Sequence, residues 1–311
     1  MFCEKIQLSF IPHSTGRSDK EGEQCYNNRA MNAVILLNKP AGMTSFKAVS
    51  ECRHILQEKK SGHTGTLDPN ATGLLIVLLG RYTKLTPYCV HDHKRYHAEF
   101  ITGIRTDTED VWGETLEEKD SHPHSEEELA ALSASFIGSS SQIPPMYSAI
   151  KVNGQKLYEL ARKGREVERR PRPIYIDSLE VHAMGNNRYS MDATVSGGTY
   201  IRTLITDYCA KMNEIGAMSL LERRGIESLW LDEAGTLDTL ISGRGFTDPL
   251  KVIDPAWKQV DGTPYEADIR NGKKIQMECE SEQVMFIKGH DVLAAYIKKE
   301  DGLYHCQRGL F

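Results

Sequence analysis

A chain of 311 residues with 40% hydrophobic and 26% charged residues and a formal net charge of −5 has the make-up of a globular protein, with room for one large domain and one small. Its longest apolar run, residues 74–79, falls far short of the roughly 20 residues that cross a bilayer, and the start MFCEKIQLSF lacks the basic-then-apolar order of a secretory leader. The seven cysteines are odd in number, scattered and without a Cys-x-x-Cys pair, so neither a disulfide framework nor a cysteine-rich zinc site is expected, and a reducing cytoplasm fits.

Residues 1–30 are polar without sustained periodicity and read as a flexible extension, or as sequence upstream of the true start, since Met31 immediately precedes the first good strand. That strand, residues 34–40, is stopped by Pro40-Ala-Gly42. Thr44 or Ser45 then caps a helix to about Gln57, with Phe46, Val49, Cys52, Ile55 and Leu56 at helical spacing. A turn-rich loop over 62–73 leads into a buried strand at 74–79, and 95–104 alternates as a second strand. A short helix is expected at 125–137, and a basic helix at 156–163 after Gly154. Segments 174–183 and 188–195 read as a hairpin turning at Asn186-Asn187, followed by a helix over 199–212. Beyond Asp254 the pattern is short strands between Gly and Asp turns, a small all-β unit. The body is α+β, because strands and helices do not alternate strictly, and a mixed or antiparallel sheet is expected.

Charge is unevenly spread. Residues 107–128 hold ten acids and one lysine, a local balance of −9, whereas 148–175 hold eight Lys or Arg against three Glu, a balance of +5. A basic face beside an acidic one suits a protein that docks one polyanion in one orientation, although a solvated helix and loop would read the same.

The most informative string is GHTGTLDPNATG at 62–73. Three glycines, a proline and several hydroxyls specify a tightly shaped loop. No Lys-Ser/Thr follows its last glycine and no Gly-x-Gly-x-x-Gly occurs, so it cradles neither a nucleoside triphosphate nor a dinucleotide. What it presents is one carboxylate, Asp68, which Pro69 keeps out of helical geometry. Taken alone, an Asp-Pro in a loop is more often an Asx turn than a catalytic group.

The whole string resembles the signature G-H-T-G-x-L-D-P-x-A-x-G of the TruB/dyskerin-type pseudouridine synthases and matches every fixed position. Other blocks follow in the family's order. LLNKPAGMTS at 36–45 resembles its opening K-P-x-G-x-[ST]-S segment, and Lys94-Arg-Tyr96 its K-x-Y motif. PPMYSAIKVNG at 144–154 with LYELAR at 157–162 resembles its central block, and GTYIRT at 198–203 its G-T-Y-I-R-[ST] motif. The short tail after Asp254 favours the bacterial TruB branch, the tRNA pseudouridine-55 synthases. The resemblance implies a pseudouridine synthase catalytic domain over 31–250, with its motif core at 34–203 and a family-specific part at about 204–250. It also implies a small PUA-like RNA-binding domain at 255–311.

It further implies a cytoplasmic, monomeric enzyme acting on the T-arm of tRNA, without cofactor, nucleotide, metal or membrane. The residues are compatible with that chemistry: making pseudouridine means breaking N1–C1′, turning the uracil and joining C5 to C1′, with no redox step and no group supplied from outside. Asp68 is then the catalytic carboxylate, Arg202 its partner and Tyr96 a ring on which an extruded uracil stacks. Tyr200 and Leu221 are expected as pocket walls, although Leu221-Glu-Arg-Arg224 departs from the family's usual L-R-R-T. His63 is expected to enter the RNA beside the flipped base, and Lys151 and Arg162 to meet phosphates. Two rival readings stand beside this one: a metal hydrolase built on His91, His93 and His97, which lacks an accompanying H-E-x-x-H pattern, and an RNA-binding protein without catalysis.

Overall fold

The computed structural model describes residues 31–152 and 154–311. The extension expected over residues 1–30 lies outside the described residues. In chain order, β1 (Ala33–Lys39), α1 (Ser45–Ile55), β2 (Ser61–His63), β3 (Thr72–Leu79) and β4 (Lys94–Thr102) come first. The small pair β5 (Ile104–Thr106) and β6 (Thr115–Glu118) precedes α2 (Glu126–Ala134) and β7 (Gly138–Gln142). A tight hairpin, β8 (Lys151–Val152) and β9 (Gln155–Lys156), leads into α3 (Leu157–Ala161). Then come β10 (Arg172–Gly185), β11 (Arg188–Val195), α4 (Ile201–Lys211), β12 (Gly216–Ile226), β13 (Leu229–Trp230) and β14 (Phe246–Thr247). The chain closes with β15 (Lys258–Asp261), α5 (Glu266–Arg270), β16 (Gln283–Lys288), β17 (Asp291–Lys298) and β18 (Tyr304–Gly309).

The main sheet runs β14-β1-β3-β12-β4-β11-β10-β7 and is antiparallel except where β12 meets β3. Helices and sheet are therefore not in strict alternation, and the fold is α+β. The apolar run of β3 is fully buried because both its faces are covered. Leu75, Val77 and Leu79 pack with Ala48, Val49 and Cys52 of α1. Leu74, Ile76 and Leu78 pack with Met285, Val292 and Ala295 of the second sheet, β15-β16-β17-β18. A third cluster puts Ala98 and Phe100 of β4 against Leu204, Ile205 and Tyr208 of α4. The hairpin β10–β11 turns at Asn186 and Asn187, both at positive φ (53° and 58°), as a two-residue turn matching the strand twist requires.

Several local expectations need correcting. Phe46 is at helical spacing but 80% exposed, since α1 buries Ser45, Ala48, Val49 and Cys52 instead. The helix at 125–137 stops at Ala134, and the basic helix at 156–163 shrinks to Leu157–Ala161 because Gln155 and Lys156 belong to a hairpin. The loop at 62–73 is framed by strand at both ends. Strand β12, central to the sheet, was not foreseen.

The parallel pairing of β3 and β12 (Thr72 with Glu222, Gly73 with Arg223) needs a glycine at 73. Its φ is +103°, and a Cβ there would lie 2.6 Å from the Arg223 nitrogen. Gly73→Ala should therefore cost more than about 3 kcal/mol in denaturant unfolding, and a smaller loss would mean that β12 can shift away.

Candidate active site

Asp68 sits on an excursion between two paired strands: β2 leads in, β3 leads out, and Gly62 pairs with Leu78. Within it, the Ala71 amide donates to the Asp68 carbonyl (3.1 Å), a turn for which Pro69 supplies the bend. Each neighbour of Asp68 is held by the segment after β1. The Leu67 amide donates to Ser45 Oγ (2.8 Å), which donates back to the Leu67 carbonyl (3.1 Å). The Pro69 carbonyl accepts from the Met43 amide (3.1 Å) and from Lys39 Nζ (3.1 Å). Lys39 is fully buried and also donates to the Pro40 and Met43 carbonyls at 2.8 and 2.7 Å. On the far side of the loop, buried Arg223 donates to the carbonyls of Leu74 (2.7 Å) and Gly65 (3.2 Å).

Arg202 lies in the first turn of α4. Its Nε donates to Asp68 Oδ2 (2.8 Å) and its Nη2 to Oδ1 (3.3 Å), a two-point grip that fixes the carboxylate plane. Its remaining donors reach the Thr108 and Tyr147 carbonyls at 2.8 and 2.9 Å. The exposures are unequal: the Arg202 side chain is 5% exposed, that of Asp68 36%. The guanidinium is thus a buried fixture, and the carboxylate faces outward where a substrate can meet it. Gln142 sets the start of α4, its side chain accepting from the Tyr200 amide (2.8 Å) and donating to the Tyr200 carbonyl (3.0 Å).

The other expected residues fall in three places. Tyr96 and Leu221 are buried in one cluster with Leu67 and Ala71, the apolar flanks of Asp68. Tyr200 immediately precedes Arg202's turn, and burial pushes its phenol pKa up. His63 ends β2; burial and the Arg223 charge push its pKa down, and its Nδ1 is buried without a hydrogen-bond partner among the described residues. Lys151 and Arg162 are exposed on the β8–β9 hairpin and just past α3, and Arg162 lies 5.5 Å from the Tyr158 ring centre. This block joins the site through the Tyr147 carbonyl on Arg202. Sequence reasoning missed Lys39, Arg223 and Gln142 as loop and helix anchors. Lys39 had a signal, being the lysine of the K-P-x-G segment; Gln142 had none.

The acidic stretch is not one solvated face. Asp107 accepts from Tyr147 Oη (2.9 Å), Asp110 from Thr108 Oγ1 (2.7 Å), and Glu109 from Thr203 Oγ1 (2.7 Å), so its first part is built into the site's wall. Burial raises the pKa of both Glu109 and Asp110. The three histidines of the metal reading face separate carboxylates: His91 faces Asp254 (3.7 Å), His93 Asp177 (3.1 Å) and His97 Asp192 (3.0 Å). They do not converge, and that reading falls.

With this geometry in place, the chain can be set beside known proteins. The sequence model of the TruB family pseudouridylate synthase N-terminal domain matches residues 53–201. The tRNA pseudouridine synthase B of Oenococcus oeni is 37% identical over 297 residues, covering 88% of this chain and 96% of that protein. The protein of the same name from Bacillus pumilus is 45% identical over 226 residues, 70% of this chain and 73% of that one. Among solved structures, a Cbf5-Nop10-Gar1 complex shares the fold with a TM-score of 0.64 and 21% identity, over 90% of this chain and 85% of that chain. An H/ACA RNP bound to a substrate RNA containing 2′-deoxyuridine gives 0.62 and 19%, with 90% and 85% covered.

Proposed function

We propose that this chain, which belongs to the TruB family of pseudouridylate synthases, converts uridine-55 in the T-loop of tRNA to pseudouridine, with Asp68 as the catalytic carboxylate. As a tRNA pseudouridine synthase it is an isomerase: the glycosidic N1–C1′ bond breaks, the uracil turns, C5 joins C1′, and the proton lost from C5 is balanced by one taken up at N1. The observation that carries the assignment of Asp68 is its grip by a buried arginine on one side while the carboxylate stays open on the other. A charge held in advance of the reaction needs no reorganisation when positive charge develops at C1′. Tyr96, Leu221 and Tyr200 supply the walls against which an extruded base rests, and His63 sits at the loop's entry.

The proposal extends to the whole molecule. Residues 31–250 form the catalytic unit, the sheet within 255–311 is an RNA-binding module, and the enzyme works as a cytoplasmic monomer on the T-arm. A tRNA transcript incubated with the protein and mapped for pseudouridine tests the reading: modification at position 55 and none in a transcript carrying cytidine there is expected. Tight tRNA binding without isomerisation would favour the non-catalytic alternative.

Exposed Lys151, Arg162 and Lys163 lie on the block that abuts the site through Tyr147, so they are placed to meet the RNA backbone. Such cations displace condensed counterions, and each lost contact reduces the log–log salt slope by about 0.7–0.9. Changing Arg162 and Lys163 to alanine should weaken tRNA binding and flatten that slope together. Glu127→Gln, on the exposed surface of α2, is the control and should leave the slope unchanged. The reverse pattern would put the RNA on the other face.

A further inference from the structure

Strand β4 places Lys94 and Tyr96 on the same face of the sheet, about 7 Å apart along the strand. Lys94 is half-buried, and its ammonium makes no hydrogen bond or ion pair among the described residues. The nearest strong charge is unfavourable. Burial pushes the Lys94 amine down to about 8, Arg223 pushes it the same way, and Asp92 opposes them. Asp92 is itself engaged, its Oδ1 accepting from the Gly197 amide at 2.5 Å. Two cations thus meet under the catalytic loop with no anion between them, an arrangement that costs stability unless something else neutralises it.

They meet at Gly65. A Cβ built there would lie 3.7 Å from Arg223 Nη1 and 4.0 Å from Lys94 Nζ, ordinary contact distances, and the residue is not at positive φ. Neither backbone conformation nor packing therefore demands a glycine at this position. A bare Cα above two cations, on a half-exposed part of the loop three residues before Asp68, leaves room for a ligand to approach the backbone. We infer that Gly65, Lys94 and Arg223 form a cradle for one backbone phosphate of the substrate RNA, close to the nucleotide presented to Asp68. The inference rests on the reading of the chain as an RNA-modifying enzyme and adds a binding contact to it. Arg223 holds the Leu74 and Gly65 carbonyls with Nε and Nη2, which fixes the cradle's shape, and leaves its Nη1 beside Gly65 with Lys94 Nζ as the donors that face the gap.

The test is a pair of variants read by affinity and by stability together. Lys94→Met removes a charge that has no partner in the free protein, so its thermal midpoint should rise. Its affinity for tRNA should fall about tenfold or more, with the salt slope shallower by about 0.7–0.9. Gly65→Ala should fold like the parent and bind tRNA several-fold more weakly, because its methyl occupies the approach. A series of T-arm hairpins, each with one methylphosphonate linkage, locates the contact. The parent should lose affinity at one linkage near the target, and Lys94→Met should no longer distinguish that linkage. A lower melting temperature with parental affinity and slope in Lys94→Met would make the lysine structural and overturn the cradle. So would a hairpin series in which every linkage affects parent and variant alike. A parent protein that binds these hairpins but leaves uridine-55 unmodified would sink the enzymatic reading alone, since the linkage comparison needs only binding.

Discussion

Asp68→Asn is expected to abolish pseudouridine formation while leaving a folded protein that still binds tRNA. The amide has the shape of the carboxylate and keeps one acceptor for Arg202, whose other donors remain on the Thr108 and Tyr147 carbonyls. The guanidinium is thus not orphaned, and the loss of stability should stay near 1–2 kcal/mol, a few degrees in melting temperature. What is lost on this reading is the negative charge of the carboxylate that Arg202 grips and that stays open to a substrate. Removing such a group costs at least about 10⁴-fold in single-turnover rate. Release of tritium from a tRNA labelled at C5 of uridine measures that rate, since C5 surrenders its hydrogen only when it joins C1′. Turnover within tenfold of the parent would remove Asp68 from the chemistry. A collapse of stability with no binding would instead make the Asp68–Arg202 pair a structural ion pair.

The roles of Asp68 and its partner Arg202 are what the family resemblance implies. Why the loop around Asp68 is legible in the sequence itself, and strand β12 and Gln142 are not, follows from where the information lies. The loop at 62–73 is written in turn residues whose conformational demands are local, and the Asn186-Asn187 turn is legible for the same reason. Strand β12 hides because one of its core-facing positions is an arginine. Leu221, Arg223 and Gly225 face inward while Leu220 and Arg224 face out, so an alternation that would announce a strand reads as charged loop. Only the tertiary pairing of Arg223 with Gly73, far apart in the chain, gives that buried cation its carbonyl partners. Phe46 shows the opposite failure, an apolar side chain at helical spacing with nothing above it. Periodicity reports which residues could be buried on a helix, and packing from elsewhere decides which are.

Lys39 tests whether the loop must be anchored for Asp68 to work. Its ammonium holds three carbonyls together, those of Pro40, Met43 and Pro69, and so ties the end of β1 to the residue that follows Asp68. Methionine fills much the same volume and donates nothing, leaving the partly buried Pro40 and Met43 carbonyls short of a partner and Pro69 with the Met43 amide alone. Lys39→Met should therefore lose about 3 kcal/mol, on the order of 10 °C in melting temperature. It should lose about 100-fold in single-turnover rate at saturating tRNA, because a reacting group displaced by about 1 Å costs that much, while affinity changes little. A pH series supplies a second reading. Burial lowers the Lys39 amine to about 8, against an ordinary value of 10.5. The unfolded chain therefore holds the proton more firmly between those values, so this residue makes stability rise with pH from about 8 to 10.5 and adds no slope below. In Lys39→Met that rise should flatten, and Lys94, whose amine is lowered in the same direction, supplies what slope remains. A variant that melts early yet turns over tRNA at the parental rate would show that Ser45 and Met43 hold the loop unaided, and that the lysine serves the fold and not the reaction.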